Sequence, residues 1–179
     1  MRDVLHFQEA GRLNPVAPDD RMPEAAYSTA LDFLVFACVD LVFTYQNQLL
    51  LAKRNTKPRS SWWIVGGRMV AGEEPKATAI RKAWEEANLE NLEATRFQCV
   101  GVYSTCFAVR HQPPQHHGSH SVNITYQVEL TLEEKERVKL RSDEYDTWQW
   151  VEPNELEGLL SPDDELDRAL LTVVHDLQR

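Results

Sequence analysis

Apolar and polar positions along the chain predict a series of β-strands separated by turns and loops. Valine, leucine and phenylalanine dominate residues 31–54 and Gln46-Asn47-Gln48 interrupts them, so this stretch predicts two strands joined by a turn. A loop is expected over 55–61, and the apolar run Trp62-Trp63-Ile64-Val65 predicts a short strand. Later strands are predicted over 98–109, 121–130 and 147–151, with a loop over 110–120.

Helical signals stand between and after these strands. Pro75 suits the first turn of a helix, because the backbone donor that proline lacks has no partner there. Thr131 and Glu134 have the spacing of a capping box, which predicts a brief helix. Pro153 is expected to start a short helix, and Ser161-Pro162 to open a longer one. The apolar stripe of that last helix predicts core packing and comprises Leu166, Leu170, Val173 and Leu177.

Strands interleaved with two main helices indicate the α/β class, and more specifically an α/β/α sandwich around a mixed β-sheet. A chain of 179 residues with 42% hydrophobic residues suits one domain with a sizeable core. Residues 1–27 contain Pro15, Pro18 and Pro23 among mixed charges, and they predict an N-terminal arm. We therefore expect the folded domain to cover residues 28–179.

Charge and cysteine content narrow the classes of partner. The net charge of -9 argues against nucleic acid or an anionic membrane surface as a main partner. A phosphorylated substrate would therefore need arginine, lysine or metal concentrated at its binding site. Cys38, Cys99 and Cys106 are odd in number and lack the spacing of zinc ligands, which suits reduced thiols. No signal peptide or membrane-spanning apolar run is visible, so we expect a cytoplasmic protein.

The candidate chemistry is concentrated in residues 66–89, GGRMVAGEEPKATAIRKAWEEANL. A glycine turn leads into a helix that carries Arg81, Glu85 and Glu86 within two turns. Divalent cations such as Mg²⁺ take carboxylate, phosphate and water oxygens, so a site that acts on a diphosphate needs converging acids. Adjacent helical residues lie about 100° apart, so Glu85 and Glu86 share a cleft only along one edge of the helix. Arg81 stands one turn before Glu85 and is placed to hold its carboxylate.

An acidic pair on a helix is usually a solvated surface feature, and here the spacing decides against that interpretation. The stretch resembles the Nudix box, G-x5-E-x7-R-E-U-x-E-E-x-G-U, in which U is aliphatic. Lys82 replaces the first helical glutamate of the box, and Asn88 replaces a glycine. The resemblance implies a Nudix hydrolase with the same sandwich architecture. The matching positions are Gly67, Glu73, Arg81, Ala83, Glu85, Glu86 and Leu89.

Over roughly residues 38–156 the chain also resembles one branch of that family, the GDP-mannose mannosyl hydrolases. The resemblance rests on the segments VDLVF, LLLAKRNTKP, WWIVGGR, RKAWEEANL, GVY and EYDTWQW. That branch also lacks the first helical glutamate of the box. The resemblance implies attack by water on the anomeric carbon of the sugar, which displaces a nucleoside diphosphate. We expect a small-molecule nucleotide substrate and allow for a homodimer.

The same resemblance implies a set of site residues. The carbonyl of Gly66 and the side chains of Glu86 and Glu144 fall on metal ligands, and Arg81, Glu85 and Glu144 are the expected catalytic residues. Because the register places these acids nearest the glycine turn, we expect Mg²⁺, or Mn²⁺, to bind through Glu86 with help from Glu85 or Glu144. The positions that contact substrate or stabilise the leaving group are Asp40, Arg54, Arg68 and Arg81.

Lys82 cannot replace a carboxylate ligand, because an ammonium group has three donors and no acceptor. We expect it to pair with Glu86 or to place positive charge near phosphate. Trp62, Trp63 and Tyr103 are candidates for stacking on a nucleobase, although aromatic residues in short strands more often pack in the core.

The general base is unassigned. The branch has histidines where this chain has Thr105 and Tyr145, and a tyrosine with an ordinary pKa near ~10 is a poor base at neutral pH. Glu144 is the first candidate, provided that it does not ligate the metal. The second is the loop HQPPQHHGSH, whose default interpretation is a mobile polar loop. Its histidines are His111, His116, His117 and His120.

The sequence therefore predicts a Mg²⁺-dependent Nudix hydrolase acting on a nucleoside diphosphate linked to another moiety, above all a nucleotide sugar such as GDP-mannose. One alternative is ordinary pyrophosphate cleavage, with attack at phosphorus and release of a nucleoside monophosphate. Another is a Nudix module that binds a nucleotide without hydrolysing it. Lys82 and the absent histidine base favour the binding module, whereas the retained acids of the box oppose it.

Overall fold

A computed structural model describes residues 3–9 and 22–177 of the chain. Within these residues seven strands form one mixed sheet with helices on both faces, which confirms the predicted α/β/α sandwich. The elements are α1 (Glu24–Phe33), β1 (Phe36–Tyr45), β2 (Gln48–Arg54), β3 (Trp62–Trp63), β4 (Val65–Arg68), α2 (Pro75–Ala87), β5 (Gln98–Phe107), β6 (Ser119–Glu129), α3 (Leu132–Arg137), β7 (Tyr145–Val151) and α4 (Glu165–Leu177). Single 3-10 turns lie at Ala94–Arg96 and Pro153–Gly158.

The predicted N-terminal arm over 1–27 falls mostly outside the described residues, so the division into arm and domain stays a prediction. Helix α1 nevertheless begins before residue 28 and runs across the predicted boundary. In the described part of the chain, none of the helices has both the length and the apolar character that crossing a bilayer requires.

Helix α1 is where the structure departs most from the sequence prediction. A strand beginning at Leu31 is wrong, because α1 continues to Phe33 and β1 begins only at Phe36. The helix end and the strand start together form one unbroken apolar run, which periodicity alone cannot divide. Leu31 is buried, whereas Phe33 and the two apolar residues after it are exposed.

Strand β1 forms the centre of the sheet and explains why its sequence is so apolar. The strand order is β3-β2-β1-β6-β5, with β4 also paired to β1 and β7 to β2. Strands β1 and β6 run parallel, and the other pairs are antiparallel. Both faces of β1 are covered, so residues 39–44 are buried without alternation. The register sets Asp40 beside Gly66 on one side and Thr125 on the other.

Two apolar clusters fill the spaces between the sheet and its helices. Ala79, Ala83 and Ala87 of α2 pack on one face, where their small side chains let the helix approach β1 and β4 closely. Leu170 and Val173 of α4 pack on the other face and Leu177 packs against them, which confirms these three positions of the predicted stripe; Leu166 is not part of that cluster.

The boundaries of the shorter elements follow their capping residues. Helix α4 begins at Glu165 rather than at Ser161, because Asp164 accepts hydrogen bonds from the first backbone donors of the helix. Thr131 and Glu134 form the predicted capping box at the start of α3. The predicted single strand over 62–65 is divided between β3 and β4.

Candidate active site

Helix α2 carries the candidate acids, and its ends follow local rules. Pro75 occupies the first turn, as predicted. Asn88 ends the helix with φ 59 and ψ 30, the left-handed conformation that glycine adopts most easily and asparagine next. The replacement of the box glycine by Asn88 therefore keeps the backbone geometry that this position needs.

Two glycines let strand β4 lie close to its neighbours on both faces. A Cβ atom on Gly66 would collide with the Val39 carbonyl oxygen and the Asp40 side chain. A Cβ atom on Gly67 would lie 2.6 Å from Cε of Lys82. Gly66 therefore makes room for Asp40, and Gly67 makes room for Lys82.

Arg81 ties the loop before α2 to the helix itself. Its Nε and Nη2 donate to Glu73 at 2.7 Å each, and its Nη1 donates to the Glu85 carboxylate at 3.1 and 3.2 Å. Nη2 also donates to the carbonyl of Arg68 at 3.2 Å. The predicted pairing of Arg81 with Glu85 is confirmed, and every nitrogen of the guanidinium group already has a partner within the protein.

Lys82 lies between the two adjacent acids of the helix. Its Nζ is 2.8 Å from Oε2 of Glu85 and 3.1 Å from Oε1 of Glu86, which confirms the predicted pair with Glu86. The hydroxyl of Tyr145 donates to the other oxygen of Glu86 at 3.3 Å. Burial raises the pKa of Glu86, and the nearby Lys82 charge opposes that rise.

Glu144 completes a set of three acids with Glu85 and Glu86, which we call the acidic group. Glu144 contacts Arg54 at 3.4 Å and Arg141 at 3.6 Å, and its charge contributes to the raised pKa of Glu86. Burial, reinforced by Glu86, raises the pKa of the neighbouring Tyr145 above its ordinary value. Tyr145 is therefore an even poorer base than an exposed tyrosine.

The acidic group fits a divalent metal ion by chemistry but not by its present arrangement. Carboxylate oxygens are the donors that a hard divalent cation prefers. Each of the three acids is already paired with lysine or arginine, and Lys82 stands between two of them. Across residues 3–9 and 22–177, three or more histidine, cysteine or acidic side chains do not come together as a metal-binding group. A metal ion held by both Glu85 and Glu86 would have to displace Lys82.

A cavity of ≈ 250 Å³ borders β4 and brings together four of the predicted site residues. Asp40, Arg54, Gly66 and Arg68 all line it. Arg81 and the acidic group do not belong to its lining. Arg54 connects the two regions, since it lines the cavity and also contacts Glu144.

Asp40 gives the cavity a buried carboxylate. Its Oδ2 accepts a hydrogen bond from Nδ2 of Asn123 at 2.8 Å, and Oδ1 of Asn123 accepts from the Ser121 hydroxyl at 2.6 Å. Burial raises the pKa of Asp40 to about 6, and the hydrogen bond from Asn123 opposes that rise. The register of β1 and β6 aligns these polar residues on one face of the sheet.

Arg68 packs against two neighbouring aromatic rings rather than against an acid. Its guanidinium carbon is 4.4 Å from the ring centroid of Tyr27 and 5.6 Å from that of Phe36, which are cation–π distances. Its Nη1 is buried without a hydrogen-bond partner. An anion in the cavity would meet an unsatisfied donor here.

Helix α1 forms part of the cavity wall, which the sequence did not reveal. Tyr27 and Leu31 line the cavity, and Asp32 on the same helix accepts from Nη1 of Arg110 at 2.7 Å. Arg110 and Asp32 are 78 residues apart, so no spacing rule links them. In the sequence, Asp32 and Arg110 are each a single charged residue beside apolar ones, and such positions are too common to predict an ion pair.

The loop over 110–118 is organised around Arg110. Arg110 is 1% exposed and donates to the carbonyls of Gln112, Pro113 and Gly118. The hydroxyl of Ser28 also donates to the Pro113 carbonyl, so the loop is fastened to α1 at two points. We call the contacts of Asp32 and Ser28 with this loop the α1 clasp.

The histidines of this loop are not brought to the acidic group. His117 contacts Asp32 at 2.9 Å, and His111 and His116 are exposed. His120 borders the cavity and contacts the Ser104 hydroxyl at 2.8 Å. Its neighbour Ser121 faces Asn123, so the side chain of His120 projects from the opposite face of β6.

Trp62 and Tyr103 pack against the apolar core, as the default interpretation expected, whereas Trp63 is part of that core and also lines the cavity. Trp63 is 9% exposed within the cluster beneath α4, and Trp62 and Tyr103 pack against that cluster. The Tyr103 hydroxyl donates to Asp176 of α4 at 2.9 Å.

Comparison with protein-family models matches residues 35–173 to the NUDIX domain. The chain belongs to the Nudix family. By family it is a Nudix hydrolase, and Nudix hydrolases generally use divalent metal ions. The matched residues include the box and the acidic group but begin after helix α1. A comparison with curated proteins gives no significant match.

Solved Nudix structures share the fold at low sequence identity. A MutT NUDIX hydrolase from Burkholderia pseudomallei aligns with a TM-score of 0.59 and 19% identity, over 79% of this chain and 98% of that one. The NUDIX domain of Shewanella oneidensis NrtR, complexed with ADP ribose, aligns with a TM-score of 0.57 and 16% identity, over 88% of this chain and 100% of that one. A Caenorhabditis elegans Ap4A hydrolase aligns with a TM-score of 0.55 and 17% identity, over 80% of this chain and 98% of that one. At these identities the likeness concerns the fold.

Proposed function

We propose that this Nudix hydrolase cleaves a nucleoside diphosphate linked to another moiety, above all a nucleotide sugar such as GDP-mannose. The observation that carries the proposal is the charge of the cavity lining in a chain of net charge -9. Arg54, Lys57 and Arg68 supply positive charge there, which suits a diphosphate. Asp40 and Asn123 add hydrogen-bonding groups of the kind that recognise sugar hydroxyls.

Buried nitrogens without a hydrogen-bond partner separate the ligand-binding arginines from the structural ones. Arg59 and Arg110 also line the cavity, but Arg59 pairs with Asp167 and Arg110 with Asp32. Arg68 has no acid in contact within the described residues, and its Nη1 is buried without a partner. Arg54 contacts Glu144 through Nη2 at 3.4 Å, but its Nε is also buried without a partner. Since an unsatisfied buried donor costs free energy, a phosphate oxygen bound here would relieve that cost. We therefore assign phosphate binding to Arg54 and Arg68.

We propose Mg²⁺, with Mn²⁺ as an alternative, as the metal of this enzyme. Glu86 would hold it with help from Glu85 or Glu144 and with the carbonyl of Gly66. A bound divalent ion neutralises charge on a diphosphate leaving group. Glu144 stays the first candidate for orienting water if it is not a ligand, and the partners of Arg81 support a positioning role for that residue.

Attack at the anomeric carbon is the favoured route. It makes the whole nucleoside diphosphate the leaving group, and the positive charge of Arg54 and Arg68 suits the charge that grows on its oxygens. Attack at phosphorus needs a water held by a strong base, and the usual helical carboxylate is replaced by Lys82. The runner-up is nevertheless pyrophosphate cleavage, since one of the similar structures is an Ap4A hydrolase.

Hydrolysis in ¹⁸O-labelled water tests the proposal. GDP-mannose, other nucleotide sugars, ADP-ribose and Ap4A are incubated with the protein and Mg²⁺, and the products are resolved by mass. Label in a released sugar supports attack at carbon. Label in a released phosphate supports pyrophosphate cleavage. Tight binding without any product favours the nucleotide-binding module.

Matched variants connect the result to the cavity. Arg68→Ala should raise KM for the active substrate, because it removes a donor that has no protein partner. Lys53→Ala serves as the control, since Lys53 is exposed on β2 next to Arg54 and does not line the cavity. Equal KM values for the two variants would remove Arg68 from the phosphate site.

A further inference from the structure

Lys82 is enclosed by the fold rather than free at the surface. Its side chain is 15% exposed, and its Cε occupies the space that a side chain at position 67 would need. Its ammonium group contacts one oxygen each of Glu85 and Glu86. A cation is thus already built into the place where the helical acids converge.

The position of Lys82 has a direct consequence for metal binding. A divalent ion reaches oxygens of both Glu85 and Glu86 only when the ammonium group leaves, because an ammonium group has no lone pair to share in a ligand shell. Two cations a few ångströms apart also repel each other strongly in a partly buried site. Lys82 and the metal ion therefore compete for the same two carboxylates.

A diphosphate bound in the cavity would give the displaced lysine another anion to pair with. Gly67, against which the Lys82 side chain packs, lines the cavity together with Gly66. Lys82 does not itself line the cavity and contacts β4 from the face opposite Asp40, so its ammonium group would reach a diphosphate there, past Gly67, only after leaving Glu85 and Glu86. Such a diphosphate would accept hydrogen bonds from the ammonium group and would also supply oxygen ligands to a metal ion. Binding of the metal ion and binding of the diphosphate therefore both favour movement of Lys82 away from Glu85 and Glu86.

We propose that Lys82 is an internal competitor of the metal ion, so that metal and nucleoside diphosphate bind cooperatively and each binds weakly alone. The proposal deepens the function proposed above and rests on it for the choice of ligand. Its test requires no turnover, so failure to hydrolyse nucleotide sugars and failure of the competition are separate results.

Electron paramagnetic resonance of free Mn²⁺ measures the binding in the wild-type protein and in Lys82→Met, with and without GDP. Methionine keeps the length of the side chain and removes its charge. We expect Lys82→Met to bind Mn²⁺ at least about tenfold more tightly without GDP, because the competing charge is gone. GDP should strengthen Mn²⁺ binding by about tenfold or more in the wild type and by much less in the variant.

Three further variants show whether the change in Mn²⁺ affinity arises from Lys82 and Glu86. Lys82→Arg keeps the charge and should bind Mn²⁺ as weakly as the wild type. Lys76→Met removes a lysine of the same helix that pairs with Asp3, and it should leave Mn²⁺ affinity unchanged. The double variant with Glu86→Gln and Lys82→Met should lose the tighter Mn²⁺ binding expected for Lys82→Met alone.

Stability provides a second measurement, with Lys82→Gln as a replacement if the methionine variant does not fold. Mn²⁺ should raise the melting temperature of the uncharged variant more than that of the wild type, because tighter binding to the native state stabilises it more. Equal Mn²⁺ affinities in wild type and uncharged variant, an unchanged effect of GDP, or no Mn²⁺ binding in either protein would overturn the proposal.

Discussion

Glu86 is more deeply buried than the other two members of the acidic group, Glu85 and Glu144. Its side chain is 3% exposed, against 32% for Glu85 and 29% for Glu144. A buried carboxylate needs compensating charge or donors, and here Lys82 and the Tyr145 hydroxyl supply them. A metal ion that replaces Lys82 would therefore gain most from Glu86, which makes this residue the sharpest test of the metal assignment.

Glu86→Gln should lower kcat/KM at limiting Mg²⁺ by more than about 100-fold, since losing even an outer-shell partner of a metal ligand typically costs up to about that much. Glutamine has the shape of glutamate and retains an oxygen for the Tyr145 hydroxyl, so the fold should stay intact. Steady-state kinetics across a Mg²⁺ titration measure the effect. Glu90→Gln, an exposed change just beyond the helix, is the control. Wild-type turnover by Glu86→Gln would reject the assignment.

Contacts that run along one helix were predictable from the sequence, and contacts across the fold were not. The pairs of Arg81 with Glu85 and of Lys82 with Glu86 follow from helical spacing alone. The stacking of Arg68 on Tyr27 depends on how α1 packs, and no local rule gives that arrangement. The resemblance to the family placed Arg68 near substrate but gave no account of what surrounds it.

At the scale of elements, the α1 clasp holds the cavity wall. Asp32 is the carboxylate partner of Arg110, which is almost fully buried. Removing one member of such a pair leaves a buried charge without compensation. Tyr27, one turn before Leu31 on the same helix, covers the guanidinium group of Arg68. The clasp therefore connects stability to phosphate binding.

Asp32→Asn should lower the free energy of unfolding, since Arg110 keeps its carbonyl partners but loses its carboxylate. GDP should also bind more weakly, because a loosened α1 no longer fixes Tyr27 over Arg68. Urea unfolding and calorimetric titration with GDP measure the two effects. Glu24→Gln changes an exposed acid in the first turn of α1 and should alter neither. Lower stability with unchanged GDP affinity would limit the clasp to a structural role.

Helix α3 gives a pH-dependent contribution to stability that is independent of the active site. Arg96 donates to both oxygens of Glu134, at 2.5 and 2.7 Å, and this pairing lowers the pKa of Glu134 to about 2. A lowered native pKa stabilises the fold above the unfolded pKa, and the contribution disappears as pH falls toward the native value. The relevant window runs from about 4.5 down to about 2.

At roughly 1.4 kcal/mol per pKa unit the lowered pKa corresponds to about 3.5 kcal/mol, and solvent screening of the partly exposed Arg96 reduces this, so Glu134→Gln should cost about 2–3 kcal/mol of unfolding free energy at pH 7. The cost should shrink at pH 3, where much of the contribution is already lost in the wild type. Glutamine can still close the capping box, so the variant isolates the charge. Urea unfolding at both pH values measures the difference, with exposed Glu133→Gln as control. If wild type and Glu134→Gln differ by the same unfolding free energy at both pH values, the lowered pKa of Glu134 does not contribute to stability.

Elements with a local signature were predicted correctly, and elements defined by packing were not. Thr131 with Glu134 identified the start of α3, and the stripe containing Leu170 identified the buried face of α4. Helix α1 was missed because its apolar end merges with β1 in one continuous run. The division of 62–65 into β3 and β4 reflects pairing with β2 and β1, which depends on the assembled sheet.

At the scale of the whole molecule, the cavity is assembled from parts that are distant in sequence. Strand β1 contributes Asp40, β2 contributes Arg54, β4 contributes Arg68, and β6 contributes Asn123. Because β1 is central and pairs with β4 and β6, its register alone brings three of these residues to one face. A sequence in which charges are scattered and mostly negative thus folds into a locally cationic cavity.

The family match begins at residue 35, whereas the cavity wall includes α1, so truncation tests how much of the chain the functional unit needs. A chain beginning at Met22 should keep its stability and its GDP affinity, since among the described residues it loses mainly the Asp3–Lys76 ion pair near the surface.

A chain beginning at Val35 should lose several degrees of melting temperature, because Arg110 then lacks Asp32 and the packing of Leu31 is gone. Its affinity for GDP should fall as well, because Tyr27 no longer covers Arg68. Differential scanning calorimetry and GDP titration of both truncated proteins measure these effects. If the chain from Val35 folds and binds GDP as tightly as the chain from Met22, the cavity is complete without α1, and the clasp has no part in ligand binding.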